Sequence, residues 1–171
     1  MQFSEVRDAL PDYAKDVWIT LDGALHRSGL TPDIAAGAAI AAAISAGSKE
    51  LVEAFEGLTN ETEATAAKTA AAIMGMTNIW YSYLDLAEDA ELKTQPPGIR
   101  MQSYVTHGGV DKKHFEIYTL SASIVGKCKG CITGHIAELK KLGVTGGELR
   151  DIGKLAAAVN ATAQILAISR P

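Results

Sequence analysis

The chain has 171 residues, 47% hydrophobic and 21% charged, and 16 basic against 20 acidic side chains leave a net charge of −4. That composition is globular rather than disordered, and without a basic surplus it excludes an electrostatically driven nucleic-acid or membrane-surface protein. Two cysteines, Cys128 and Cys131, are too few for a disulfide-scaffolded secreted module.

The first eight residues carry three charges with no apolar run behind them, unlike a signal peptide. The most apolar stretch, 34–44, is mostly Ala and is closed by Ser45, Gly47 and Lys49, too short and too weakly hydrophobic to span a bilayer. A soluble cytoplasmic protein is the expectation. In that compartment thiols are kept reduced, so a close cysteine pair points to catalysis, redox cycling or metal binding.

Alanine loses no side-chain entropy in a helix, and the chain holds 28 of them with few β-branched clusters. In chain order the predicted helices cover 4–9, 11–28, 32–46, 49–56, 61–76, 77–88, 98–106, 111–126, 128–142 and 146–168. Pro11 and Pro32 suit first-turn positions, with Thr31 as the cap before Pro32. Ser48, Asn60 and Thr145 are further caps, and Thr145 with Glu148 has capping-box spacing. Gly29, Gly47, Gly57 and Gly143 stand where helices should stop. A charged linker over 87–98 ends in Gln95-Pro96-Pro97-Gly98, where paired prolines oppose helix continuation. The run 17–21 has strand composition but no partner. The expected architecture is an all-α bundle, one helical domain over 1–171.

Ala71-Ala72-Ile73-Met74-Gly75 echoes Ala122-Ser123-Ile124-Val125-Gly126 at an offset of 51 residues, which a half-domain duplication or alanine bias would both produce. In the first half, Asn78 and Trp80 fall near the places that the cysteines occupy in the second. Alanine-rich faces let helix axes approach closely but cover little apolar area, so a homo-oligomer is expected to bury what one chain leaves over.

The chemistry concentrates in Gly126-Lys127-Cys128-Lys129-Gly130-Cys131-Ile132-Thr133-Gly134-His135. Residues three apart on a helix share a face within disulfide reach, so Cys128 and Cys131 are able to cycle between dithiol and disulfide. His135 follows Cys131 by four on that same face. The glycine before the motif allows a turn, so that Cys128 opens a helix whose N-terminal N–H groups, with Lys127 and Lys129, stabilise thiolate. Three other readings compete: buried small hydrophobes; a zinc site on Cys128, Cys131 and His135 that needs His114 or Glu116 as a fourth ligand; and a thioredoxin fold, which needs strands that the chain lacks.

The Cys-x-x-Cys-x-x-x-His spacing in helical context, with Phe115-Glu116-Ile117-Tyr118 upstream, resembles the AhpD family of alkyl hydroperoxide reductases, within the carboxymuconolactone decarboxylase-like superfamily. Residues 11–16 and 71–76 also resemble segments of that family. The resemblance implies an all-helical homotrimer that reduces hydroperoxides. It further implies no bound cofactor, a dihydrolipoyl group as external reductant, and electron transfer to an AhpC-type peroxiredoxin. By position, Cys131 matches the peroxidatic cysteine, Cys128 the partner that donates a proton and closes the disulfide, and His135 and Glu116 the proton relay. The family pattern has His immediately before the second cysteine, where this chain has Gly130.

Glu116 precedes Cys128 by twelve residues, about 120° off its face on a continuous helix. It therefore reads as a solvated residue, unless the chain folds back near Gly126. His26, His107 and His114 read as surface or capping residues without comparable partners, and Trp18, Trp80 and Tyr118 as core or subunit interface. Outside the peroxidase reading stand a non-enzymatic redox- or zinc-responsive binding module on the same cysteines and a lactone decarboxylase, whose chemistry does not call for a thiol pair.

Overall fold

The computed structural model describes residues 1–169, so the last two residues of the expected 1–171 unit lie outside the described residues. Ten α-helices and no strand occur among the described residues. They are α1 (Phe3–Ala9), α2 (Lys15–His26), α3 (Pro32–Ser45), α4 (Lys49–Glu56), α5 (Glu61–Leu86), α6 (Ala90–Thr94), α7 (Gln102–Val105), α8 (Lys112–Gly126), α9 (Lys129–Lys141) and α10 (Gly146–Ile168). Short 3-10 turns at Asp12–Ala14 and His107–Gly109 complete the path.

Most boundaries follow local chemistry. Ser48 accepts from the Leu51 N–H and Asn60 from the Glu63 N–H, while Thr145 and Glu148 form a reciprocal capping box. Gly47 and Gly143 take left-handed conformations, with φ of 73° and 81°, just past α3 and α9. The expected helix over 11–28 is instead a 3-10 turn and then α2, which absorbs the strand-like run 17–21. The expected pair 61–76 and 77–88 is one helix, α5, of 26 residues. Gly75 is tolerated inside it because that position is exposed, and the penalty of about 1 kcal/mol for one interior glycine is offset by burying Met74, Thr77 and Asn78 on either side. The linker stretch 87–98 contains the short α6, and the region 98–106 holds only the single turn α7.

Helix α3 sits at the centre. Residues Ile34–Ala43 are all buried, as an all-round apolar helix requires. It packs against α5 and α8, and α10 closes over α2, α3 and α8. Small residues set the spacing: a Cβ at Gly37 would lie 2.5 Å from the ring of Tyr118, so only glycine lets α8 approach α3 there. One buried cluster runs from Val6 to Leu166 through these helices. No helix among the described residues is long and apolar enough to cross a membrane.

Candidate active site

The chain reverses between α8 and α9, and the reversal differs from expectation in which residue makes it. Lys127, with φ 55° and ψ 27°, takes the left-handed position, while Gly126 stays helical. Gly126 is required for another reason: a Cβ there would lie 2.3 Å from Nδ2 of Asn78 on α5. That Asn78 side chain is buried. Its Nδ2 donates to the Ala122 carbonyl at 3.4 Å, and its Oδ1 accepts from Ser123 Oγ at 3.0 Å. Asn78 thus fixes the end of α8, from which the cysteines emerge. The Lys112–Glu138 ion pair, at 2.5 Å, ties the far ends of the same hairpin.

Cys128 caps α9, and its Sγ accepts from the Cys131 N–H at 3.2 Å. The two cysteines are joined as a disulfide with Cα atoms 5.3 Å apart. Cys128 is fully buried, whereas Cys131 is partly exposed and lines a cleft of about 710 Å³.

The hairpin brings Glu116 to the site. Far from being solvated, it is 0% exposed, and its Oε2 lies 2.8 Å from Nδ1 of His135. Thr119 Oγ1 stands 3.2 Å from the same nitrogen. The second Glu116 oxygen accepts from the Tyr104 hydroxyl. Burial first, and then the Glu116 carboxylate, hold the Tyr104 phenol protonated well above its ordinary range. With Glu116 at Nδ1, the other ring nitrogen of His135, Nε2, sits 3.3 Å from the Met74 sulfur. Cys131, His135 and Glu116 therefore line one cleft, with Tyr104 and Met74 as further members. The Cys131 sulfur contacts the Thr77 carbonyl oxygen at 3.9 Å.

Tyr104, Met74 and Asn78 escaped the sequence reading. Only the offset of 51 residues hinted at Asn78, and nothing near Tyr104 resembles a motif. The cleft is apolar inside, where Met74, Leu84 and Met101 contribute, and charged at its rim, with Asp85, Lys93, Lys112 and Glu138. At Gly130 a Cβ would find its nearest atom at 3.9 Å, Oδ2 of Asp85, so this face of the motif is open toward a carboxylate.

The remaining histidines have contacts of their own, and the exposed His26 fits the surface or capping reading. His114 Nδ1 lies 2.8 Å from Glu63, whose other oxygen accepts from Tyr118 at 2.5 Å, and His26 pairs with Asp22 at 3.2 Å. With His114 held by Glu63 and Glu116 held by His135 and Tyr104, neither is idle as a fourth zinc ligand. His107 packs against Phe115. Tyr118 is core, Trp18 stacks on Phe3 with centroids 5.0 Å apart, and Trp80 is half-buried beside Tyr83.

The carboxymuconolactone decarboxylase family model matches residues 97–170, the segment that holds both cysteines, Tyr104, Glu116 and His135. Three proteins named alkyl hydroperoxide reductase AhpD align over nearly the whole chain. That of Rhodospirillum centenum is 37% identical, over 97% of this chain and 91% of its own length. That of Maricaulis maris is 34% identical over 98% of both, and that of Frankia alni 36% identical over 95% and 90%. Identity at this level, sustained from end to end, shows that the chain belongs to the AhpD family of the carboxymuconolactone decarboxylase group.

Proposed function

We propose that the protein is a thiol peroxidase that reduces hydroperoxides through a Cys128–Cys131 dithiol/disulfide cycle. One observation carries the reading: a cleft-facing cysteine and a fully buried one are bonded to each other beside a buried Glu116–His135 pair. The AhpD names of the relatives support the same reaction class.

In the reduced protein, His135 Nε2 accepts the Cys131 proton while Nδ1–H stays bonded to Glu116. The Cys131 thiolate attacks the terminal peroxide oxygen, the S–O bond forms and the O–O bond breaks. The leaving alkoxide takes the proton of Cys128. Cys128 thiolate then attacks the sulfenic acid, forming the S–S bond, and the departing hydroxide recovers the proton held on His135 as water. Dithiol and hydroperoxide thus become disulfide, alcohol and water. A dihydrolipoyl-type dithiol, entering by exchange at Cys131, returns the pair to the reduced state. Onward transfer to an AhpC-type peroxiredoxin and attachment of the dithiol to a lipoylated protein complete the proposal.

Assembly belongs to the same reading. Met76, Ile79, Tyr83 and Leu86 are 39, 71, 48 and 83% exposed on the second half of α5, at helical spacing, an apolar stripe that self-association into a trimer would cover.

Intact mass tests the cycle. Reduced protein given one equivalent of hydroperoxide should lose about two mass units, and dihydrolipoamide should restore them. Cys131→Ser should abolish turnover, and near-normal peroxidase activity in that variant would sink the mechanism.

A further inference from the structure

The disulfide form of the cleft still contains reduced sulfur. We propose that Met74 is a second oxidation site, converted to sulfoxide by hydroperoxide when the disulfide is not re-reduced, and that the sulfoxide disables His135. The inference rests on the peroxidase reading for the supply of hydroperoxide to the cleft, and it names a regulation of that site.

Three placements carry it. Met74 is only 1% exposed, yet it lines the cleft beside Cys131, so its sulfur is reached through the space that admits the peroxide. His135 Nε2 lies 3.3 Å from Sδ and Thr77 Oγ1 lies 3.6 Å from it, so two hydrogen-bonding groups already converge on this thioether. With both cysteine sulfurs consumed in the S–S bond, the Met74 lone pair is the nucleophile next to the proton relay.

The step balances without a further reagent. The sulfur lone pair attacks the terminal peroxide oxygen, an S–O bond forms, the O–O bond breaks and alkoxide leaves. His135 carries the proton from the S–OH sulfonium to the alkoxide, giving sulfoxide and alcohol. Sulfur loses two electrons and the peroxide gains them. The product oxygen is a far better acceptor than the thioether it replaces. Thr77 O–H and His135 Nε2–H donate to it, which holds Nε2 protonated and turned from Cys131.

The other methionines are internal controls. Met76 is two residues away and 39% exposed, Met1 is 40% exposed, and Met101 shares the cleft lining. Disulfide-form protein is treated with tert-butyl hydroperoxide, digested and read by fragment mass for the gain of about 16 mass units that marks a sulfoxide. Met74 should oxidise about a hundredfold faster than Met76, the low end of what a positioned proton donor contributes. His135→Gln should erase that lead. After the disulfide is reduced, protein carrying the Met74 sulfoxide should alkylate at Cys131 more slowly near neutral pH, with recovery after methionine sulfoxide reductase. Oxidation of Met1 and Met76 level with or ahead of Met74 overturns the proposal, and so does an unchanged lead in His135→Gln. Disulfide formation in reduced protein under the same reagent is scored in parallel. Its failure refutes the peroxidase reading, whereas the methionine order alone decides the present one.

Discussion

Asn78 and Gly126, on different helices, are fitted to each other: the amide of one fills the space where the other lacks a side chain. Gly126→Ala should therefore destabilise the fold by about 1–3 kcal/mol, the usual result of overpacking a tight contact. Asn78→Ala removes two buried hydrogen bonds and should cost a similar amount. The double variant should lose less than the sum, because the added methyl occupies the vacated volume. Denaturant titration of the four proteins gives the coupling, and strict additivity would show that the contact does not set the hairpin.

Tyr104 orients Glu116 rather than touching sulfur. Tyr104→Phe keeps the ring packing on Phe115 but leaves one oxygen of a fully buried carboxylate unpaired. With the Tyr104 bond gone, the carboxylate orients the His135 ring less firmly. The expected result is a Cys131 alkylation profile displaced to higher pH. A purely structural role would lower stability and leave the midpoint of that profile in place.

His135→Gln should raise the thiol pKa and slow alkylation near neutral pH, with peroxidase turnover down about a hundredfold or more. An unchanged alkylation profile would remove His135 from the relay.

The Lys112–Glu138 pair gives a pH signature. Its hydrogen bond to Lys112, then the one to Lys141, hold the Glu138 carboxyl below its ordinary range. A group lowered in the folded state stabilises it above the unfolded pKa, and that contribution disappears as pH falls through the folded value. Lys112→Gln should flatten the acid limb of the stability curve, followed by urea unfolding between about pH 3 and 7. An acid limb as steep as in the parent would show that the pair contributes nothing.

Gly130→His should be accommodated, since the nearest atom to a Cβ there is 3.9 Å away. Replacing a first-turn glycine should add up to about 1 kcal/mol of stability. An imidazole at this position, next to Asp85, should also speed Cys131 alkylation near neutral pH. Slower alkylation would mean that the Asp85 carboxylate dominates the local field.

Much of this fold is written in short-range signals. Ser48, Asn60 and Thr145 begin their helices as their side chains dictate, and Cys128 is legible as a helix opener from the residues around it. Glu116 is the opposite case. Its distance from His135 depends on a reversal at Lys127, a residue with no intrinsic preference for the left-handed region, and on the Asn78 packing that makes the reversal hold. Tyr104 and Met74 are 12 and 61 residues from their partners in the relay. No periodicity joins residues that far apart, so only tertiary packing brings them to the Glu116–His135 pair. The α5 break expected after Met76 failed for a related reason: glycine is a local signal, and the packing on both sides of Gly75 outweighs it.

The burial of Cys128 has a kinetic consequence. In the proposed cycle one sulfur is buried and the other faces the cleft, so oxidant and reductant use the same doorway and the same atom. They cannot be present together, so turnover must alternate between two half-reactions, with alcohol released before the dithiol enters. Steady-state plots should give the parallel lines of ping-pong kinetics, and an excess of either substrate should inhibit the other.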